Sequence, residues 1–191
     1  MLFRSNLYSP EDDVAIGQQF IRESEPELDI IEDDLLGEYV NRLGQQLALE
    51  APGYDYPYQF KLVNDETINA FALPGGPIYL NRGIIEEADR EAEVAGVLAH
   101  EIAHVALRHG TNQASKAQLV QTPLAILGGI FGGGNSVTSI LTQVGVGFAA
   151  NSLFLKYSRD AERQADLMGA QILFDAGYDA TGMPEFFEKL E

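Results

Sequence analysis

Apolar residues recur every three or four positions through the first 50 residues, and this spacing predicts two amphipathic helices. The first is expected to begin at Pro10, with Ser9 as its N-cap and acidic residues in its first turn, and to run to about Glu23. Its predicted buried face consists of Val14, Gly17, Phe20 and Ile21. The second is expected from about Ile31 to Leu49, with an inward face of Leu35, Leu36, Tyr39, Val40, Leu43 and Leu47.

The pattern changes to short alternating segments after residue 57. Residues 58–63, 68–73 and 77–80 predict three strands of a small sheet connected by hairpins, with a turn at Pro74-Gly75-Gly76. A short helix is expected after Asn81-Arg82-Gly83, and a long helix covers residues 90–109. Helices, then a small sheet, then further helices predict an α+β fold.

Residues 119–154 are rich in Gly, Ala, Ile, Leu and Val, and no charged residue occurs before Lys156. The apolar pieces are short, because Gly132-Gly133-Gly134-Asn135 and two later glycines interrupt them. A spanning helix needs about 20 mostly apolar residues without such breaks. We therefore favour a mobile apolar lid or a buried helix over a transmembrane segment, and keep open that this stretch lies near a membrane.

Composition narrows the classes of protein and site. A length of 191 residues predicts a single domain over 1–191. The net charge of −17 argues against nucleic-acid binding and against adhesion to an anionic membrane surface. The chain has no cysteine, so any metal must be bound by His, Asp or Glu. Residues 1–4 do not resemble the start of a secretory signal.

The pattern H-E-x-x-H over residues 100–104 is the strongest chemical signal, and the association of this motif with zinc and a general base is a general one. On a helix, His100 and His104 lie one turn apart on the same face and can converge on one ion. Glu101 is rotated by about 100°, which puts its carboxylate beside the metal, where it can reach a water molecule. The alternative is a buried helix with two hydrogen-bonded histidines, and a third ligand would distinguish the two.

Two places in the chain could supply that ligand. A helix over residues 157–173, capped by Ser158, carries Glu162 and Asp166 four residues apart on one face. These acids could equally form a solvated face. His109 comes one position too early for the pattern H-E-x-x-H-x-x-G-x-x-H, and on a continued helix it would lie about 140° away from His104. We therefore interpret His109 as a C-terminal residue of the helix.

Together these segments resemble the M48 peptidases, zinc metalloendopeptidases of the gluzincin group, and most of all their soluble members in the bacterial envelope. The resemblance rests on the 100–104 motif with Arg108-His109, on Ser158-Arg159, Glu162 and Ala165-Asp166, and on Asn69-Ala70-Phe71. It implies a mainly helical, zincin-like domain with a small sheet beside the metal helix. It also implies one Zn²⁺ bound by His100, His104 and Glu162, with Glu101 as the base and Asp166 orienting a ligand histidine. Asn69, Ala70 and Phe71 would form an edge strand that pairs with a polypeptide substrate.

The resemblance also implies a periplasmic location and a role in protein quality control, with misfolded or envelope proteins as substrates. One part of the family pattern is absent, because M48 members usually carry a later His or Arg that contacts the catalytic centre, and no histidine follows His109. We expect the domain to be truncated at its C-terminus, so that Tyr157, Tyr178 or no residue of this chain supplies the oxyanion contact. The alternative functions are a zinc-bound but proteolytically silent chaperone-like or interaction module, and a helical core with structural histidines. The oligomeric state does not follow from the sequence.

Overall fold

A computed structural model describes residues 6–32, 34–116 and 157–189 of the chain. The strands are β1 (Gln59–Val63), β2 (Ala70–Ala72) and β3 (Pro77–Asn81). The helices are α1 (Pro10–Glu23), α2 (Asp34–Ala48), α3 (Arg82–Glu87), α4 (Glu91–Ala106), α5 (Arg159–Asp175) and α6 (Gly182–Glu188), and a single 3-10 turn covers Glu25–Glu27. Residues 109–116 are also helical. The predicted lid at 119–154 lies outside the described residues.

The first helix begins and ends where the pattern predicts. The Ser9 hydroxyl accepts a hydrogen bond from the Asp12 backbone N–H at 3.2 Å, and the Ser9 N–H donates to Asp12 Oδ2 at 2.8 Å, which completes a capping box. The buried face differs in part from the prediction. Gly17 and Phe20 are buried as expected, but Ile16 is buried in place of Val14 and Ile21, which are only half-buried.

Helix α2 is shorter than predicted and buries only part of its expected face. Val40, Leu43 and Leu47 lie in the core at the spacing of one helix face. Leu35 and Leu36 were expected to be buried, but their exposed fractions are 81% and 40%. The first turn of α2 therefore contributes little to the core.

The sheet has the order β1-β3-β2, and its topology corrects the prediction of strands joined only by hairpins. β2 and β3 do form a hairpin, because Gly75 and Gly76 adopt positive φ angles of 82° and 119° in the turn between them. β1 instead pairs with β3 in parallel, from Gln59 opposite Pro77 to Val63 opposite Asn81. β3 is therefore the central strand, with all five residues buried, and β2 lies at an edge.

Helix α4 is at the centre of the core. Its residues 93–100 and 102–105 are all buried, and α2, α5, α6 and strand β2 pack around it. The predicted α+β architecture, mainly helical with a small sheet beside the helix that carries the 100–104 motif, is confirmed. In the described parts of the chain, every helix is too short or too polar to cross a membrane.

Candidate metal centre

Helix α4 places the two motif histidines side by side in the interior. His100 and His104 are 8% and 4% exposed, and their Nε2 atoms lie 3.0 Å apart. Two imidazole nitrogens at this separation, one turn apart on a buried helix, point into the same small volume. The fold therefore places the Nε2 atoms of His100 and His104 where both could bind one metal ion.

Helix α5 adds a third donor atom from its first turn. Ser158 caps this helix by accepting a hydrogen bond from the Ala161 N–H at 3.3 Å. Glu162 Oε2 lies 3.3 Å from His100 Nε2 and 3.6 Å from His104 Nε2. In the described parts of the chain, these three residues form the one group of His, Asp and Glu whose donor atoms could bind an ion together.

The triangle of donor atoms has the size that a metal ion requires. Its edges measure 3.0, 3.3 and 3.6 Å. Four ligands arranged tetrahedrally around an ion, with bonds of about 2.0–2.2 Å, lie roughly 3.3–3.6 Å from one another. Two neutral imidazoles and one carboxylate are also a ligand set that divalent transition metals accept. The residues present fit a metal ion.

Small residues of α5 allow it to approach α4 this closely. Ala165 has no exposed surface, and a Cβ atom added at Gly169 would lie 3.1 Å from the backbone nitrogen of His100. Ordinary contacts of a Cβ atom are 3.4 Å or longer. Gly169 lies two helical turns after Glu162 and on the same face. The missing side chain at Gly169 therefore sets the separation of the two helices that carry the donor atoms.

The electrostatics of the metal-free site couple its histidine and its carboxylate. Burial alone would lower the pKa of His100, but contacts with Asp166 and Glu162 outweigh it and raise the pKa to about 10. The two histidines lower the pKa of Glu162 to about 2. Without a metal, the site therefore favours a protonated His100 imidazolium paired with an ionised Glu162 carboxylate.

Each of the two histidines has a polar side chain close to its other nitrogen. Asp166 Oδ1 lies 3.1 Å from His100 Nδ1, at hydrogen-bond distance but out of line with the N–H direction. His109 Nδ1 lies 3.0 Å from His104 Nδ1. Partners of this kind fix which nitrogen of an imidazole carries the proton and how the ring is oriented.

The position of His109 differs from that on a continued helix. α4 ends at Ala106, and Arg108 adopts a left-handed φ of 57°, which turns the chain so that the ring of His109 contacts His104. A left-handed conformation is unusual for a residue other than glycine and costs roughly 1–2 kcal/mol. No local signal in the sequence indicates it, so reasoning from helical geometry could not find this contact.

The predicted substrate strand lies beside this centre. Asn69 and Ala70 line a pocket of about 140 Å³ together with His100 and Glu101. Phe71 points to the other face of the sheet, where its ring stacks on Tyr79 with the ring centroids 4.9 Å apart. The structure therefore brings Asn69, Ala70 and Glu101 to one cavity and does not bring Phe71 there.

The remaining lining of this pocket is apolar and was not predicted as part of the site. Its residues come from the segment before β2 and from α3, α4 and α6: Ile68, Ile84, Val97, Phe186 and Phe187. The ring of Phe187 also lies edge-on to His100, with the centroids 5.5 Å apart. The cavity thus combines an apolar interior with a carboxylate and a donor atom of the centre.

Comparison with known proteins identifies the family. The model of "Peptidase family M48" matches residues 34–190, which is most of the chain and includes all the donor atoms above. The chain belongs to peptidase family M48. The family and the enzyme class expected from the motifs, a metallopeptidase, are thereby confirmed.

Similar proteins in this family have related names. The β-barrel assembly-enhancing protease of Yersinia pestis is 34% identical over 190 residues, 95% of this chain and 38% of the relative. The protein of the same name in Escherichia coli K12 is 32% identical over 184 residues, 93% of this chain and 37% of the relative. The mitochondrial metalloendopeptidase OMA1 of Schizosaccharomyces pombe is 26% identical over 153 residues, 80% of this chain and 43% of the relative. The chain spans less than half the length of each of these relatives.

Two tyrosines were considered for an oxyanion contact in this M48 chain, and the structure separates them. The ring of Tyr157 stacks on His104, with the centroids 4.2 Å apart. The Tyr178 hydroxyl donates to Glu91 Oε1 at 3.1 Å, at the other end of α4, nine residues and about 14 Å along the helix from His100. Tyr157 therefore lies against the centre, whereas Tyr178 does not.

Proposed function

We propose that this M48 chain is a zinc-dependent endopeptidase that hydrolyses peptide bonds in polypeptide substrates. The observation that carries the proposal is the triangle of His100 Nε2, His104 Nε2 and Glu162 Oε2, with edges of 3.0, 3.3 and 3.6 Å. These three residues would bind one Zn²⁺ and leave one position for water or substrate. When bound, zinc would lower the pKa of water to about 7 and polarise the scissile carbonyl.

Glu101 is the proposed general base. It follows His100 on α4 and lines the same pocket, so its carboxylate faces the cavity in which a scissile bond would lie. It would take a proton from the attacking water and pass it to the leaving amine. The Asp166 carboxylate, with Oδ1 at 3.1 Å from His100 Nδ1, would favour the tautomer that carries its proton on Nδ1, which leaves Nε2 free as a ligand.

Strand β2 is the proposed binding edge for substrate. It lies at the edge of the sheet, and its first residue Ala70 and the preceding Asn69 line the pocket that contains Glu101. An extended peptide could add to this edge by backbone hydrogen bonds and place one side chain in the pocket. In this arrangement the backbone groups of Ala70 and Ala72, which point away from β3, would pair with the peptide, while the ring of Phe71 anchors the strand on Tyr79.

The names of the bacterial relatives support a setting for this reaction. Because they are β-barrel assembly-enhancing proteases, we infer that the chain acts in the bacterial cell envelope, in the periplasm, on misfolded or incompletely assembled envelope proteins. Proximity to the membrane through the apolar residues 119–154 stays a prediction from the sequence, because those residues lie outside the described ranges.

The test measures zinc content and casein digestion for the wild-type chain and for Glu101→Gln. We expect one zinc per chain in both, cleavage by the wild type that a chelator abolishes, and no cleavage by Glu101→Gln. Glu91→Gln is the matched control, because Glu91 is on the same helix but contacts Tyr178 far from the centre. Cleavage by Glu101→Gln at the wild-type rate would contradict the role of the base. Zinc without cleavage in the wild type would instead favour the silent chaperone-like or interaction module.

A further inference from the structure

The N-terminal segment, residues 6–23, lies before the region that the family model matches. It nevertheless contacts the residues that directly follow helix α4, which carries His100 and His104. The contacts join residues 6–13 to residues 108–115. Their hydrogen bonds include Asn6 Nδ2 to Thr111 Oγ1 (2.9 Å), Leu7 N to Ser115 Oγ (2.9 Å), Arg108 Nη2 to the Tyr8 carbonyl (2.6 Å) and Arg108 Nε to Asp13 Oδ2 (2.5 Å).

The ion pair of Asp13 and Arg108 is the centre of this contact. The side chain of Asp13 is 2% exposed and that of Arg108 is 20% exposed. The guanidinium donates to both carboxylate oxygens, at 2.5 and 3.1 Å, and the Tyr56 hydroxyl donates to Oδ2 at 2.8 Å. A buried carboxylate that accepts three hydrogen bonds holds its partners in one geometry, and removal of one partner leaves a buried charge uncompensated.

Arg108 is also the residue with the left-handed backbone, and His109 follows it directly. The ion pair therefore restrains the turn that brings His109 Nδ1 to within 3.0 Å of His104 Nδ1. If His104 binds zinc through Nε2, its proton must be on Nδ1, and His109 Nδ1 must accept that hydrogen bond.

We propose that His109 is a positioning residue for the metal ligand His104, and that Asp13 of α1 holds it in place through Arg108. The inference rests on the proposed function, since it assigns to His104 a zinc bond through Nε2. Helix α1, which the family match does not include, would then help to position a ligand of the metal centre.

The test compares zinc affinity, measured by competition with a chromophoric chelator, in three variants of the whole chain. His109→Phe keeps a ring but removes the acceptor, and we expect zinc binding to weaken about 10- to 100-fold. His109→Asn restores an acceptor near the position of Nδ1, so its affinity should recover to within about threefold of the wild type. Asp13→Asn should weaken binding about tenfold or more, because the turn loses its charged partner.

The matched control is Glu25→Gln. Glu25 Oε1 accepts from Lys61 Nζ at 2.6 Å and Glu25 Oε2 accepts from the Tyr79 hydroxyl at 2.5 Å, so this variant also breaks an ion pair between the N-terminal region and the sheet. Glu25 does not contact Arg108. We therefore expect Glu25→Gln to lose as much metal-free stability as Asp13→Asn, but to keep a zinc affinity within about twofold of the wild type. A second readout is the tautomer of His104 in the metal-free chain, from long-range nitrogen–proton NMR couplings. We expect Nδ1–H in the wild type and a mixture in Asp13→Asn.

The outcomes separate this inference from the proposed function. Wild-type affinity in both His109→Phe and Asp13→Asn would overturn the inference alone, as would equal losses in His109→Phe and His109→Asn. Failure of the wild-type chain to bind zinc would overturn the proposed function, and the inference with it.

Discussion

The close approach of α5 to α4 makes Gly169 a test of the metal geometry. A Cβ atom at position 169 would lie 3.1 Å from His100 N and 3.2 Å from His100 Cα, both backbone atoms that cannot rotate away. The contact must lengthen by a few tenths of an ångström, so one helix must move. Metal–ligand distances tolerate only about 0.2 Å. A shift of α5 should therefore stretch the distances of 3.3 and 3.6 Å from Glu162 Oε2 to the two imidazoles.

The expected magnitudes follow from two opposing effects. Gly169→Ala gains about 1 kcal/mol of helix propensity and loses about 1–3 kcal/mol to overpacking. The free energy of unfolding should therefore fall by about 0–2 kcal/mol, with a several-fold loss of zinc affinity. Gly169→Val adds two more carbons against the same backbone, and we expect zinc affinity to fall by about tenfold or more, which corresponds to about 1.4 kcal/mol.

The assay combines chelator competition for zinc with denaturant unfolding of the metal-free chain. Gly37→Ala is the matched control, because a Cβ there would meet its nearest atom at an ordinary 3.7 Å. It should stabilise the chain by about 1 kcal/mol and leave zinc affinity unchanged. Wild-type zinc affinity in Gly169→Val would refute the reasoning, since the helix separation would then not control the position of Glu162.

Two further predictions concern pH and substrate. The metal-free pKa of His100 is raised to about 10, so zinc must displace a proton, and zinc affinity should rise by up to about tenfold per pH unit between about pH 6.5 and 10. Protonated His100 stabilises the metal-free fold in full below the unfolded pKa of 6.5, and this stabilisation should be lost as the pH rises over the same range. Proton release on zinc binding can be measured by calorimetry in buffers of different ionisation enthalpy. Zinc binding without any proton release would contradict the raised pKa of His100. The apolar pocket predicts cleavage next to an apolar side chain of the substrate. In a peptide library, Phe187→Ala should change the ratio of kcat/KM for larger to smaller apolar side chains by about tenfold. An unchanged preference would show that the pocket does not bind substrate.

Much of the candidate site follows from short-range patterns in the sequence. The spacing of His100 and His104 places both on one face of any helix they form, and Glu162 and Asp166 share a face for the same reason. The start of α1 follows from Ser9, Pro10 and Asp12, which act within one turn. Such features depend on residues a few positions apart, so the local chain determines them.

Three features depend on the tertiary structure. β1 pairs in parallel with β3 and not with β2, the next strand in the sequence. The alternation of apolar and polar residues is compatible with either partner, so it cannot predict this pairing. The edges of the donor triangle depend on how closely α5 approaches α4. Gly169 permits this approach because it faces the backbone of His100, and only the tertiary structure determines that contact. The contact of His109 with His104 depends on a left-handed Arg108, whose ion-pair partner Asp13 lies 95 residues away in the chain. Local propensity disfavours that backbone conformation, so only the buried charge of Asp13 and the packing around it could select it.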